Sequence, residues 1–240
     1  MRCINTGLSV IDLIHCDCVQ GLQTLADQSV DLIFTDPPYG ISGDQLDQHY
    51  NRDESCVVPG YCEVAAQDYA AFSLAWIQQA ERVLRPTGSM YIVSGYTNLH
   101  HILNALHSTG LREINHLIAQ YTFGVYTRNK WVSSHYHVLY WAKKKPYFNG
   151  AARFTDTGES YNDRISVQSL KRKYKPGEVK NKNQLPVEFV RKFIEYSSQP
   201  GDLVVDPFAG SFSTGWAADQ LGRNCVGFDL NPTAVQAFRP

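Results

Sequence analysis

Short, almost uninterrupted apolar segments recur along the chain, and stretches with helical periodicity separate them. Val10–His15 (VIDLIH), Val30–Thr35 (VDLIFT), Ser89–Ser94 (SMYIVS), Leu203–Asp206 (LVVD) and Asn224–Asp229 (NCVGFD) are of this kind. A strand apolar on both sides has to be covered on both sides, which places it inside a sheet. Helices are expected over Val19–Ala26, Tyr69–Leu84, Leu99–Leu106, Pro186–Ser198 and Ser213–Leu221. The second of these carries Tyr69, Phe72, Trp76, Ala80, Val83 and Leu84 as a stripe and is closed by Pro86 and Gly88. The alternation specifies an α/β fold: a Rossmann-like, doubly wound, mostly parallel sheet with helices on both faces. At 240 residues, 43% hydrophobic and 19% charged, the chain can bury such a core and is neither disordered nor a coiled coil.

Asn115–Tyr121 and Tyr136–Trp141 read as a further strand pair, whereas both periodicities fade between Lys143 and Leu185. A single domain over residues 1–240 is expected, with binding insertions near 41–67 and 148–183. The net charge is only −1, but charge is segregated. Lys171–Lys182 holds six basic residues, among them Lys171, Arg172, Lys173 and Lys175, against the single acid Glu178. Arg128–Lys145 holds five basic residues and no acid, and Asp44–Asp68 holds six acids against Arg52. Such segregation suits steering to a polyanion, and otherwise describes solvated loops. No stretch is long and apolar enough for a membrane span, and Met1–Gly7 has no apolar run resembling a signal peptide, so the expected location is cytoplasmic.

Six cysteines are expected as reduced, mostly buried thiols, with Cys16 and Cys18 on one face of a strand end. Neither they nor the histidine pairs His100-His101 and His135-x-His137 offer a full ligand set, so no metal is expected.

Two segments end a buried strand with chemically pointed residues. After VDLIFT come Asp36, Pro37, Pro38 and Tyr39. Ligands of α/β sheets bind beyond the carboxyl ends of strands. Two prolines there remove donors, leaving carbonyl and carboxylate acceptors beside an aromatic ring, which suits a planar group bearing an amine. After LVVD come Pro207, Phe208, Ala209, Gly210 and Ser211, leading into the Ser213 helix. A strand, a small-residue loop and a helix N-terminus are read as an anion site built from free backbone N–H groups. Asp229 closes the next strand, 23 residues after Asp206, where an acid accepts from ribose hydroxyls. The loop has no Gly-Lys-Ser/Thr element and, with only Gly210 and Gly215, no dinucleotide fingerprint.

Together these segments resemble the S-adenosylmethionine-dependent DNA methyltransferases that modify adenine N6 or cytosine N4. SVDLIFTDPPYG is similar to their catalytic motif, and VVDPFAGSFSTGWAADQLGRNCVGFDLNP to their cofactor motif and its acidic strand. The catalytic motif precedes the cofactor motif, the order of the circularly permuted β group. The resemblance implies Asp36, Pro37, Pro38 and Tyr39 as catalytic residues. It implies Asp17, Asp206, Pro207, Phe208, Ala209, Gly210, Ser211, Asp229 and Asn231 as binders of S-adenosylmethionine. It further implies target recognition by the two insertions and a flipped-out base stacked on Tyr39. With DNA as substrate, the local +5 of the Lys171–Lys182 stretch assigns phosphate contacts to Lys171, Arg172, Lys173 and Lys175. Asp36 at the first motif position leans toward adenine N6. The sequence departs from the family at Phe212, where glycine is usual, and at Leu185, where lysine is usual. Asp17 also reads as a helix N-cap.

A homodimer and a cognate restriction endonuclease are the protein partners the resemblance leaves open, beside double-stranded DNA. Cytosine-N4 methylation, methylation of RNA or a protein glutamine, and a catalytically silent subunit are the competing readings. Protein glutamine methyltransferases show Asn-Pro-Pro-Tyr after the cofactor motif, and this chain has Asp36 and the reverse order.

Overall fold

The structure, a computed structural model, describes residues 2–7, 9–41, 63–122, 128–151, 164–171 and 184–237. Among them nine strands form one sheet: β1 (Arg2–Asn5), β2 (Val10–His15), β3 (Val30–Thr35), β4 (Leu84–Ser94), β5 (Arg112–Gln120), β6 (His135–Ala142), β7 (Val167–Ser169), β8 (Leu203–Asp206) and β9 (Asn224–Asp229). The order across the sheet is β1-β2-β9-β8-β3-β4-β6-β5-β7. The run β2-β9-β8-β3-β4 and the pair β5-β7 are parallel. The pairs β1-β2, β4-β6 and β6-β5 are antiparallel. The described helices are α1 (Cys18–Gln23), α2 (Tyr69–Val83), α3 (Leu99–His107), α4 (Val187–Ser197), α5 (Ser213–Gln220) and α6 (Pro232–Ala237).

Apolar alternation assigns each strand residue to one of two helix layers. Along β3, Ile33 packs with Leu22 of α1, Trp76, Ile77 and Ala80 of α2, and Ile102 and Leu106 of α3. Its neighbours Leu32 and Phe34 face the other way, onto Val190, Phe193 and Ile194 of α4 and Ala217 and Ala218 of α5. The expected doubly wound sheet is therefore present. From β3 the chain crosses through α2 to β4, and from β8 it crosses through α5 to β9 on the opposite side. The two crossovers diverge at the β8–β3 junction, which opens the crevice where such sheets bind ligands.

Some expectations need correction. Helix α2 stops at Val83, and Leu84 through Gly88 belong to β4 rather than to a turn. The β3–β4 register slips there between Val30 and Leu32, and the amides of Lys144 and Lys145 donate to the Pro86 carbonyl, holding the segment extended. Helix α1 is shorter than expected because the Arg82 guanidinium takes its carbonyl ends, Nη2 donating to Leu22 O at 2.8 Å and Nη1 to Leu25 O at 3.0 Å. Strands β1 and β7 and helix α6 are too short to produce a period, and β7 falls within the 143–185 stretch expected to be irregular. No helix among the described residues is long and apolar enough to cross a membrane.

Candidate active site

Four acids follow the carboxyl ends of neighbouring parallel strands: Asp17 beyond β2, Asp229 at the end of β9, Asp206 at the end of β8 and Asp36 beyond β3. They occupy one edge of the sheet, around the β8–β3 switch. Asp206 is only 4% exposed and is held from both sides of that switch. Its Oδ1 accepts from the Thr35 hydroxyl at 2.7 Å and the Phe208 amide at 3.1 Å, and its Oδ2 accepts from the Thr214 hydroxyl at 2.7 Å. Burial raises its pKa to about 6, with Asp229 adding to the rise and the three donors opposing it. Thr35 immediately precedes Asp36, so this carboxylate ties the end of β3 to the loop after β8.

The Asp36–Gly40 turn is fixed at nearly every residue. The Tyr39 hydroxyl donates to Asp36 Oδ1 at 2.8 Å, and the Tyr69 hydroxyl of α2 donates to the Pro38 carbonyl at 2.8 Å. Asn98 Nδ2 donates to the carbonyls of Tyr39 at 2.8 Å and Gly40 at 3.0 Å. The Gly40 amide donates to Glu63 Oε1 at 2.7 Å. Gly40 has φ +68°, and a Cβ there would lie 2.5 Å from the Tyr69 ring, so both conformation and space require glycine. The Tyr39 ring lies 6.2 Å from that of Tyr136, which is 4.9 Å from Tyr121, so the turn faces the β5–β6 side of the edge.

The loop after β8 is closed on itself. Asp229 Oδ2 accepts from the Gly210 amide at 2.6 Å and its Oδ1 from the Asn231 amide at 2.7 Å. The Ala209 amide donates to Phe228 O and the Phe212 amide to Ala209 O. The amides of Phe208, Ala209, Gly210 and Phe212 are thus engaged internally, which overturns the expected cradle of free N–H groups. What the edge offers instead is carboxylate oxygen. The two protein bonds to Asp229 leave lone pairs for a ribose diol, and an acid-lined crevice suits a ligand carrying ammonium and sulfonium charge. Gly210 has φ +50° with open space where a side chain would point, so the loop presents bare backbone there.

Phe212 takes the left-handed conformation, φ +57°, that the usual glycine would supply, and its ring is fully buried. A Cβ at Gly215 or Gly227 would meet that ring at 2.6 or 2.4 Å. The ring therefore turns into the core, away from the crevice. Phe208 points to the opposite layer, 5.3 Å from Trp76 and 5.6 Å from Phe72. Ser211 is exposed and Pro207 buried. Leu185, where lysine is usual, has its carbonyl bonded by the Ser213 hydroxyl at 2.7 Å at the start of α5.

Asp17 is the N-cap of α1, its Oδ1 accepting from the amides of Val19 at 2.9 Å and Gln20 at 3.2 Å. Asn231 is buried and its Oδ1 accepts from the Thr233 amide at 2.9 Å, within the first turn of α6. Cys16 and Cys18 do not share a strand face: β2 ends at His15, and Cys18 opens α1 because Asp17 starts that helix. Of the described cysteines, Cys18 and Cys225 are buried, and burial pushes the Cys18 thiol up to about 12.

Lys171 is exposed just beyond β7, whose Ser169 pairs with Gln120, so it leaves the sheet at the same edge as Asp36. Arg172, Lys173 and Lys175 lie outside the described residues, as do 42–62, 152–163 and 176–183 of the two insertions. His135 and His137 are joined by His116, whose Nε2 is 2.8 Å from His137 Nδ1. Burial, then His116 and His135, lower the His137 pKa to about 4. Among the described residues no group of three His, Cys, Asp or Glu is arranged to hold a metal ion.

Sequence reasoning missed Thr35, Thr214, Tyr69, Asn98 and Glu63. The Thr35 bond leaves no motif of its own, because Thr35 and Asp206 are 171 positions apart. Tyr69 was legible only as the first residue of a helical stripe.

Comparison with known proteins agrees with this geometry. Residues 30–239 match the N6/N4 methyltransferase family, described as DNA methylase. The type II methyltransferase M.HinfI of Haemophilus influenzae is 28% identical over 225 residues, 89% of this chain. This chain spans 63% of the length of M.HinfI. M2.DpnII of Streptococcus pneumoniae is 27% identical over 235 residues, 95% of this chain and 87% of that protein. The crystal structure of the M1.HpyAVI–SAM complex superposes with a TM-score of 0.66 at 24% identity, covering 94% of this chain and 96% of that one. A family match over nearly the whole chain decides the matter: the protein belongs to the N6/N4 DNA methylase family.

Proposed function

We propose that this chain transfers a methyl group from S-adenosylmethionine to the exocyclic N6 amine of adenine in DNA. The observation that carries the reading is the meeting, at the β8–β3 switch, of an amine-accepting turn with an acid-lined crevice through the Thr35–Asp206 bond. Relatives named type II methyltransferases and a structural neighbour solved with the same cofactor support it.

When bound, S-adenosylmethionine supplies an electrophilic methyl group on a sulfonium. Asp229 accepts from the ribose hydroxyls, with its carboxylate held by the Gly210 and Asn231 amides. Asp206 fixes the loop through Pro207, Phe208, Ala209, Gly210 and Ser211 from beneath, and Asp17 accepts from the adenine amine at the far end. An aromatic amine is a poor nucleophile because its lone pair is delocalised into the ring. Asp36 and the Pro37 carbonyl accept its two N–H bonds, which favours a tetrahedral nitrogen with its lone pair directed at the methyl. Transfer would exchange the methyl group's carbon–sulfur bond for a carbon–nitrogen bond, and Asp36 would take the surplus proton from the amine. Positioning carries most of the rate, since in-line transfer between two held groups requires no further catalyst. The target base must leave the stack to reach Asp36, and Tyr39 takes its face.

The chain acts as one cytoplasmic domain, with 41–67 and 148–183 reading the target and Lys171, Arg172, Lys173 and Lys175 on phosphate. A homodimer and a cognate endonuclease complete the proposed assembly. The test is tritiated S-adenosylmethionine offered with DNA, RNA or protein, followed by digestion of the labelled DNA and mass separation of nucleosides. N6-methyladenine is expected. N4-methylcytosine as sole product refutes the base assignment alone, and absence of label in DNA refutes the reading.

A further inference from the structure

Trp131 is 96% exposed, whereas Trp76 and Trp141 are buried in the core and Trp216 packs against it. It sits in the connection between β5 and β6, whose base is closed by the Tyr121 amide donating to Ser134 O at 2.8 Å. That base stands at the catalytic edge: His137 pairs with Ser94 at the end of β4, and Tyr136 lies between Tyr121 and Tyr39. Exposed Arg128 and Lys130 precede Trp131 in the same connection. From Ile114 to Thr155 the sequence contains no acid, so nothing in this stretch repels a polyanion. An exposed indole on a basic loop beside a base-accepting turn has the chemistry of a group that stacks on bases while its neighbours meet phosphate.

We propose that Trp131 inserts into the DNA base stack beside the target, occupying space opened when the target base leaves the duplex. The assignment rests on the DNA-methyltransferase reading and adds to it the residue that stabilises the opened duplex.

The test uses the full chain and its Trp131→Ala and Trp131→Phe variants with a 30-base-pair duplex containing the methylated site found by sequencing. A second duplex carries an abasic position in place of the target nucleotide. Wild-type tryptophan emission is expected to lose its acrylamide-accessible component on binding, and that loss is expected to be absent in Trp131→Phe. Trp131→Ala is expected to bind and methylate the paired duplex roughly 5- to 150-fold less well, the loss of one base–aromatic stack, with Trp131→Phe much closer to wild type. Its preference for the abasic over the paired duplex is expected to change accordingly. Anisotropy showing bound DNA while Trp131 stays open to acrylamide overturns the proposal and leaves the parent reading intact. So does Trp131→Ala that loses self-association but not DNA affinity, which assigns the indole to a contact between copies. A wild-type chain that binds no DNA overturns both.

Discussion

Replacing Asp206 by asparagine separates its charge from its hydrogen bonds. The neutral amide keeps an oxygen for Thr35 and the Phe208 amide, and the Thr214 hydroxyl can turn to accept from the new NH2 group. What disappears is an ionisation that burial opposes, the folded pKa being about 6 against an ordinary 3.8. An acid with a raised folded pKa binds more protons in the native state than in the unfolded state between those values. Its favourable contribution is therefore present below about pH 4 and lost as pH rises through about 6. A rise from 3.8 to about 6 corresponds to about 3 kcal/mol once ionisation is complete. The stability of Asp206→Asn relative to wild type should therefore improve by about that amount between about pH 4 and pH 8, with roughly half gained above about pH 5. Urea unfolding followed by circular dichroism across this range measures the difference directly, because groups common to both proteins cancel. Parallel stability profiles would refute the argument, since they would mean that Asp206 ionises in the fold as freely as in the unfolded chain.

Asp36→Ala should abolish methyl transfer while calorimetric affinity for S-adenosylmethionine is unchanged; lost affinity with retained turnover would reverse the assignments of the two strand ends. Asp229→Ala should weaken that affinity by about 1–3 kcal/mol, the loss of buried hydrogen bonds to a charged acceptor, and an unchanged dissociation constant counts against it. Replacing Lys171, Arg172 and Lys173 by glutamine should flatten the log affinity against log salt slope by up to about 0.9 per lost phosphate contact; an unchanged slope makes the segment a solvated loop. Gly227→Ala places a methyl 2.4 Å from the Phe212 ring and 2.9 Å from the Ala209 side chain. Overpacking there should cost about 1–3 kcal/mol and lower the melting temperature, and a wild-type melting temperature would mean the ring is elsewhere.

The central parallel strands and their helices were legible because burial on two faces leaves a dense apolar signature that survives in a single sequence. Val30–Thr35 and Asn224–Asp229 coincide with β3 and β9 to the residue. The edges were less legible: β1 with four residues and β7 with three are held by ladder bonds to neighbours, and carry too few side chains to show a period. The site divides in the same way. Asp36, Asp206 and Asp229 announce themselves because each ends or directly follows a strand, and a residue's place at a strand end can be read locally. The bonds that orient them cannot, because Thr35 reaches Asp206 only after β3 and β8 have paired. The amides after β8 illustrate a local reading that failed: small residues leading into a helix suggest free donors, yet Asp229 and Phe228 arrive from β9 to take those of Gly210 and Ala209, and Asp206 turns back onto that of Phe208.

Phe212 shows how a departure from a family pattern is resolved by residues that look unrelated to it. A glycine at this position supplies a left-handed turn at no steric cost, whereas phenylalanine adopts the same φ against its preference. The strain is tolerated because the ring enters the core, and it enters only because positions 215 and 227 carry no side chain. Gly215 lies in α5 and Gly227 in β9, so the pocket for the ring comes from the two elements flanking the loop. With its ring anchored below, the backbone at Gly210 remains bare toward the crevice and Asp229 can hold the loop by a single amide. Bulk at 212 thus costs the cofactor side no space, provided both glycines stay glycine. The two positions and Phe212 form one packing unit, in which Gly227→Ala should be relieved by a smaller residue at 212 rather than by any change at the crevice.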